Sequence, residues 1–443
     1  MVLINYTRRL LSLRTKRDVH KVPRNFDPSL HPFEIPREYT RALNATKLER
    51  VFAKPFIGSL EGHQDGVHCM LKHPKSLSTI LSGACNGEVK VWNLPSKQCQ
   101  RSISAHSGFV RGLCMQPDCQ SFFSVGDDKT IKQWKMESPA YGELEEPVMT
   151  ILGKTMFLGI DHHWKEPFYA TCGDRVDIWD ETRTEPMRSF TWGLDSITSL
   201  KFNHVETNVL ASTANDRNIV LYDMRGATPL RKVILEMRSN AIAWNPMEAF
   251  IFTVANEDYN LYTFDMRNLS SPTNIHMDHV SAVLDVDYSP TGKEIVSGSY
   301  DKTIRIFPAN KGRSREVYHT KRMQRVTCVR WTMDNKYILS GSDEMNIRIW
   351  KSAASEKLGV TTGREQMSKQ YNEKLKATFA HHPQIRRVAR HRHVPKSLYS
   401  ASREIRIIRE SKKRKEKNAR AHSKPGTMEI VPERQKHVVG EHE

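Results

Sequence analysis

Short runs of alternating apolar and polar residues recur along most of this chain. Leu284-Asp-Val-Asp-Tyr288 is one, and the turn-forming Ser289-Pro-Thr-Gly292 follows it at once. A period of two places every second side chain on one face of a strand, and Pro and Gly end such runs. An aromatic residue closes a run at Trp92, Trp134, Trp179, Tyr222, Phe264, Phe307 and Trp350, at intervals of 42, 45, 43, 42, 43 and 43 residues. A second series, Phe202, Trp244, Tyr288 and Trp331, keeps the same spacing. Seven matches in register identify one structural unit repeated seven times.

A period of this length resembles that of WD repeats, in which each unit is a four-stranded blade. The predicted fold is therefore all-β: a seven-bladed WD-repeat β-propeller with a basic, largely helical C-terminal extension. His106, Ser124, Asp128 and Trp134 stand in blade 2 where WD repeats place a buried hydrogen-bonded tetrad. A Ser, a His and an Asp in one blade also suggest a hydrolase triad. The repeat-locked spacing explains all four residues without a reaction, so their expected role is structural. Blade 1 keeps His63, Ser82 and Trp92; blade 6 keeps His279, Ser297 and Asp301, with Phe307 unable to donate a hydrogen bond. Blade 3 is the most degenerate, its Gly173-Asp-Arg turn reading as one residue short. Phe52 to Leu60 reads as the outer strand of the blade that ends at Trp350, so that the two ends of the repeat array pair and no edge stays open. Pro55 suits such an edge.

From Lys351 the alternation stops and helix-forming residues begin. Met367, Tyr371, Leu375 and Phe379 recur at every fourth position, which predicts an amphipathic helix over 364–379. Three segments are expected: a basic N-terminal arm over 1–51, the propeller over 52–351 and a basic helical domain over 352–443. Charge follows the same division. Residues 1–57 hold 12 Lys/Arg against 5 acids, and residues 352–443 hold 22 against 10, out of a net charge of +18. The repeats between them are therefore close to neutral. Cationic arms on a neutral body suit contact of the arms with polyanion and of the body with protein. Arg386, Arg387, Arg390, Arg392, Lys412, Lys413, Arg414, Lys415 and Lys417 are the residues expected to bind RNA or direct nuclear import. Within 386–424, 15 Lys/Arg accompany 3 Glu, and Ile405 and Ile408 give only a thin apolar face, too thin for a membrane anchor. With no aromatic interleaving, the arm is expected to grip phosphates without reading bases.

Several chemistries lose support. No apolar run is long enough to span a membrane. Met1–Arg17 lacks the apolar core of a secretory signal, although its Arg-rich composition is compatible with a mitochondrial presequence. Seven scattered cysteines with no C-x-x-C pair indicate neither a zinc ribbon nor a disulfide framework. Gly153-Lys-Thr155 resembles the end of a P-loop, but Val148 stands where its first glycine belongs. The His162-His163, His381-His382 and His391/His393 groups have no second ligand cluster at a metal-binding spacing. Neither a metal, a cofactor, a small-molecule substrate nor an enzymatic reaction is expected.

One constellation is not absorbed by the repeat. Blades 4 and 5 end their third strands in Tyr222-Asp-Met-Arg225 and Phe264-Asp-Met-Arg267. Asp223, Arg225, Asp265 and Arg267 would then share one rim. Each arginine either pairs with its own blade's aspartate or offers its planar fork to a partner.

Beyond the repeats, the chain resembles the Sof-type WD-repeat family, a propeller followed by a short Sof-like domain, over about residues 21–426. Arg41-Ala-Leu-Asn-Ala-Thr-Lys-Leu-Glu-Arg50, Asp161-His-His-Trp164, Asn256-Glu-Asp-Tyr-Asn260, Ser314-Arg-Glu-Val-Tyr318 and His422-Ser-Lys-Pro-Gly426 carry the resemblance. It implies a place in the nucleolar small-subunit processome, among processome proteins and with pre-rRNA or small nucleolar RNA as partner. It also implies a second role for animal members, as substrate receptors of the cullin-4 ubiquitin ligase, whose adaptor contacts a double Asp-x-Arg box. Asp223/Arg225 and Asp265/Arg267 match that box, with Tyr222 and Phe264 where a Trp is usual. No role is assigned to residues 1–17 or 428–443.

Overall fold

A computed structural model of the protein describes residues 27–137, 145–191, 195–424, 426–428 and 430–442. Met1–Arg17, with its presequence-like composition, lies outside the described residues, as does the rest of the N-terminal stretch before Asp27. The chain divides into two compact units. One comprises Pro55–Ser352 with the residues from His393 onward; the other comprises Ala353–Arg392 with the described residues up to Lys54.

In the larger unit, seven antiparallel sheets follow one another along the chain. Blades 1 to 6 span residues 67–104, 110–152, 159–190, 197–235, 239–277 and 283–318. Blade 7 takes its inner three strands from residues 326–351 and its outermost from Phe56–Leu60, which pairs antiparallel with Ile347–Lys351. The Lys351 amide also donates to the Pro55 carbonyl at 2.8 Å. The first and last repeat segments therefore close one ring by β-pairing.

The periodic aromatics fill the spaces between and within blades. Trp92, Trp331 and Trp350 are fully buried, and Phe252 and Phe264 stack at 5.7 Å. Second strands such as Ser121–Gly126 are buried along their whole length, since blades cover both of their faces. Blade 3 departs furthest from the repeat. Cys172 pairs with Val176 there, whereas Val125 pairs with Ile131 in blade 2. Three residues stand where five do elsewhere, so the turn is two residues short, not one.

A feature the strand pattern did not announce ties blade to blade. Arg101, in the outer strand of blade 1, donates to the carbonyls of Lys135 (2.7 Å) and Glu137 (3.1 Å) in blade 2. Arg188 reaches Met224 and Gly226 of blade 4, Arg231 reaches the Arg267 carbonyl of blade 5 at 2.8 Å, and Arg315 reaches the Ser352 carbonyl at 2.9 Å. Each guanidinium satisfies carbonyls at the end of the next blade's third strand, where ladder bonding stops.

The C-terminal segment 352–443 is divided between the units at Arg392. In the smaller unit, helix α1 (Glu34–Val51) packs with α2 (Gly363–Thr378) and α3 (Pro383–Arg390) around Ala42, Leu375 and Ile385. Tyr39 sits edge-on to Phe379, the Arg50 guanidinium donates to the Ala389 carbonyl at 2.8 Å, and Lys376 pairs with Glu49 at 2.8 Å. Thr362 and Glu365 form a capping box that fixes the start of α2. The expected apolar stripe is only partly used: Leu375 is buried, but Met367 is 65% and Tyr371 43% exposed. The small core needs one turn of that face, not four.

The larger unit includes helix α4 (Lys396–His422) and a final strand, Val438–His442. That strand pairs antiparallel with Pro229–Leu235 and makes blade 4 a five-stranded sheet. Val438 packs against the core shared by blades 4 and 5, and the His437 ring lies 5.2 Å from that of Tyr262. An open blade edge is thereby covered by the chain's own tail.

Candidate functional site

The buried polar clusters inside the blades come first, because they resemble catalytic groups. In blade 2 the His106 Nδ1–H donates to Asp128 at 2.9 Å, Ser124 Oγ lies 2.8 Å from His106 Nε2, and Trp134 Nε1–H donates to Ser124 Oγ at 3.0 Å. Thr130 donates to the same carboxylate at 2.7 Å. Burial resists the ionised form of Asp128, but the hydroxyl of Thr130 and the charge and hydrogen bond of His106 outweigh it and keep the carboxyl below its usual range. Burial pushes the His106 pKa down despite Asp128. The serine hydroxyl is thus saturated by a tryptophan donor and a histidine acceptor, in a side chain with no exposed surface. A nucleophile needs access to substrate, and this one has none.

The same arrangement degrades in step with the sequence. Blade 6 keeps His279–Asp301 at 2.9 Å and His279–Ser297 at 2.7 Å, but Phe307 supplies no donor. Blade 1 keeps His63–Ser82 at 2.6 Å and Trp92–Ser82 at 2.7 Å, while burial and Lys90 depress the His63 pKa to about 4. Asn86 occupies the turn position that Asp128 fills in blade 2, and the His63 Nδ1 has no hydrogen-bond partner among the described residues. Asp128→Ala should remove the acceptor from a buried donor and cost about 1–3 kcal/mol. The expected result is a lower melting temperature with partner binding recovered on cooling. A variant that melts like the parent but loses an activity contradicts the structural role.

The adjacent Asp-Met-Arg turns have a different character. Arg225 pairs with Asp223 at 3.0 Å and Arg267 with Asp265 at 2.7 Å, each guanidinium making two-pronged contact with its own blade's carboxylate. The arginine side chains remain 71% and 65% exposed. Hydrogen bonding by its arginine is the main cause that holds each aspartate below the usual carboxylate range. Exposed pairs of this kind add little to stability. The turns are nevertheless fixed from behind: Arg188 binds the Met224 and Gly226 carbonyls, Arg231 binds that of Arg267, and the Arg267 guanidinium lies 4.4 Å from the Phe250 ring centroid. Two aimed, solvent-facing guanidiniums on consecutive blades are what a protein partner offering carboxylates or carbonyls would engage. Sequence reasoning found the pair but missed its supports. The signal was present, since Arg101, Arg188, Arg231 and Arg315 recur at multiples of nearly the repeat length.

The basic residues are divided between the two units. Arg386, Arg387 and Arg390 lie on α3 and Arg392 directly after it, in the smaller unit. Lys412, Lys413, Arg414, Lys415 and Lys417 lie on α4, in the larger unit. Helix α4 has no buried residue, and Lys412 to Lys415 are all exposed. Ile405 is half-buried and Ile408 is 55% exposed, so the helix presents cations to solvent over most of its circumference. Of the histidine groups, His162 is committed to Glu181 at 2.7 Å and to the His163 carbonyl at 2.7 Å.

The ring of seven blades, with the buried tetrad of blade 2 and its partial copies in blades 1 and 6, defines a WD-repeat β-propeller. Its WD domain, G-beta repeat segments match at residues 54–93, 97–135, 270–307 and 315–351, and a Sof1-like domain matches at residues 352–438. The fold resembles that in the crystal structure of the WD40 beta propeller domain of Doa1, with a TM-score of 0.56 and 18% identity, over 67% of this chain and 96% of that one. Over 435 residues the chain is 67% identical to DDB1- and CUL4-associated factor 13 of Homo sapiens, covering 98% of this chain and 97% of the relative. The protein of that name from Xenopus laevis is 68% identical over 96% of both chains. Protein SOF1 of Saccharomyces cerevisiae is 48% identical, over 95% of this chain and 90% of its own. The chain belongs to the Sof1-like WD-repeat family that contains these proteins.

Proposed function

We infer that the protein is a non-enzymatic scaffold subunit of the small-subunit processome, acting in the nucleolus in pre-rRNA processing toward 18S rRNA and the 40S subunit. The observation that carries this reading is α4, a 27-residue helix with no buried residue, strongly cationic, held in the same compact unit as a neutral propeller. Such a helix is suited to phosphate contact, and the ring offers protein-binding rims. Membership of the family with SOF1 supports it, since resemblance to that family implies ribosome assembly.

A second reading has its own observation. The relatives named DDB1- and CUL4-associated factor 13, together with the exposed Asp-x-Arg pairs, favour a substrate receptor of a cullin-4 ubiquitin ligase. Purification from nuclear extract separates the two. The scaffold reading predicts recovery of processome proteins with pre-rRNA, and the receptor reading predicts recovery of the adaptor with cullin. Recovery of the adaptor and cullin with no pre-rRNA would overturn the first.

A further inference from the structure

Between α4 and the rim of blades 5 and 6 lies a cleft of about 420 Å³. Tyr399, Arg403, Arg406 and Arg409 line it from the helix, and Asp278 and Arg313 line it from the propeller. Residues 403, 406 and 409 are spaced three apart, so the helix brings their side chains to one face at a rise of about 4.5 Å between neighbours. Arg313 faces them across the cleft, steadied by the Met277 carbonyl at 2.9 Å and Asp278 at 2.7 Å. Arg409 is anchored beside Asn260 at 3.5 Å, which fixes the helix over blade 5. The lining carboxylate is already used: Asp278 Oδ1 accepts from Arg313, and Oδ2 accepts from the Ser314 amide and hydroxyl, both at 2.6 Å. His279 reaches the cleft wall too, but its ring is committed to Asp301 and Ser297. Among the described residues, four guanidiniums thus meet one occupied lining carboxylate, with Glu410 of the helix 3.6 Å from Arg406. Tyr399, also in the cleft lining, is 68% exposed and so leaves its ring accessible.

We propose that this cleft binds a nucleotide of single-stranded RNA, with its base on the Tyr399 ring and its flanking phosphates on Arg313, Arg403 and Arg406. The volume exceeds what a lone phosphate needs and falls within the range of small-molecule pockets. An aromatic face beside a row of arginines is the combination that holds unpaired bases, whereas a duplex hides its base faces in the stack. The same face continues along the helix through Lys413 and Lys417, a track suited to a chain of phosphates rather than to one phosphorylated side chain. The proposal rests on the reading of α4 as an RNA contact and adds a single-strand preference that a phosphate track alone does not give.

The test measures binding of the full-length protein to a labelled oligouridylate and to a duplex RNA of equal length, beside Tyr399→Ala, Tyr399→Phe, Arg403→Ala/Arg406→Ala and Lys412→Gln/Lys413→Gln. Tyr399→Ala should weaken oligouridylate binding about fivefold or more and leave duplex binding unchanged, and Tyr399→Phe should retain the parental preference. The double arginine variant should lose the preference as well, with an unchanged melting curve. Lys412→Gln/Lys413→Gln should weaken both RNAs alike. An unchanged single-strand preference in Tyr399→Ala overturns the cleft, while weakening of both RNAs by the Lys412/Lys413 variant would leave the phosphate reading standing. A wild-type protein that binds neither RNA overturns both. Tighter binding of a phosphoserine peptide than of oligouridylate, abolished by the double arginine variant, overturns the nucleotide assignment.

Discussion

Replacing Lys412, Lys413, Arg414, Lys415 and Lys417 together with Gln is expected to weaken RNA binding by up to about a thousandfold at ~0.15 M salt. The figure follows from about five lost phosphate contacts, each contributing about 0.7 to the logarithmic salt slope on a single strand. The measured slope should therefore fall by about 3.5. Lys413 has a nearby acid, Glu433 at 3.5 Å, and contributes less than the others. Gln preserves helix propensity, and α4 buries no residue whose packing the changes would disturb. The melting curve should match the parent's. A salt slope unchanged in a folded variant contradicts phosphate contact through this helix.

The second large effect is expected at the rim of blades 4 and 5. Replacing Arg225 and Arg267 with Ala should reduce affinity for the cullin-4 adaptor by about a hundredfold or more, since arginines buried by a partner rank among the strongest interface contacts. In the free protein the Arg267 guanidinium also lies over the Phe250 ring, but each guanidinium is solvent-exposed and paired with its own blade's aspartate. Removing it leaves Asp223 and Asp265 in water-accessible positions, so the ring should stay intact. The carbonyls of Met224, Gly226 and Arg267 keep their donors from Arg188 and Arg231, and the turns keep their shape. Co-purification of the adaptor and a melting curve read the two effects separately. Parental adaptor binding by a folded double variant returns both arginines to a bracing role within their blades.

What the sequence disclosed, and what it withheld, divides along range of interaction. Strand alternation, the seven aromatic positions and the Ser–Trp spacing of ten residues in blades 1, 2 and 7 are local, and each was readable from one chain. The closing strand lies within Phe52 to Leu60, but it starts at Phe56 and Phe52 caps α1 instead. Ring closure by that segment was also readable, because a complete repeat needs a fourth strand and only that segment was unclaimed. The Val438–His442 strand was not. Two valines, a glycine and two polar residues make no pattern, and only the bare edge of blade 4 gives the segment a reason to extend. Helix α1 escaped notice because its inward face is built on Ala42 and Thr46, small residues that produce little contrast with their neighbours. Ile35, Tyr39, Ala42 and Leu43 do follow helical spacing, and that was the available signal. The basic stretch 386–424 read as one arm because composition carries no break; the break comes at His391–Pro395, between the end of α3 at Arg390 and Pro395, the residue before α4. The cleft beside Tyr399 joins helix residues to propeller residues more than eighty positions away and had no sequence signature.

The most direct measurement is 18S rRNA maturation in nuclei depleted of the endogenous protein and supplied with one variant at a time. The account predicts that the wild-type chain and the Arg225/Arg267 variant restore 18S rRNA, while the α4 variant leaves its precursors accumulated despite normal folding. Full restoration by the α4 variant, with failure of the Arg225/Arg267 variant, would contradict it.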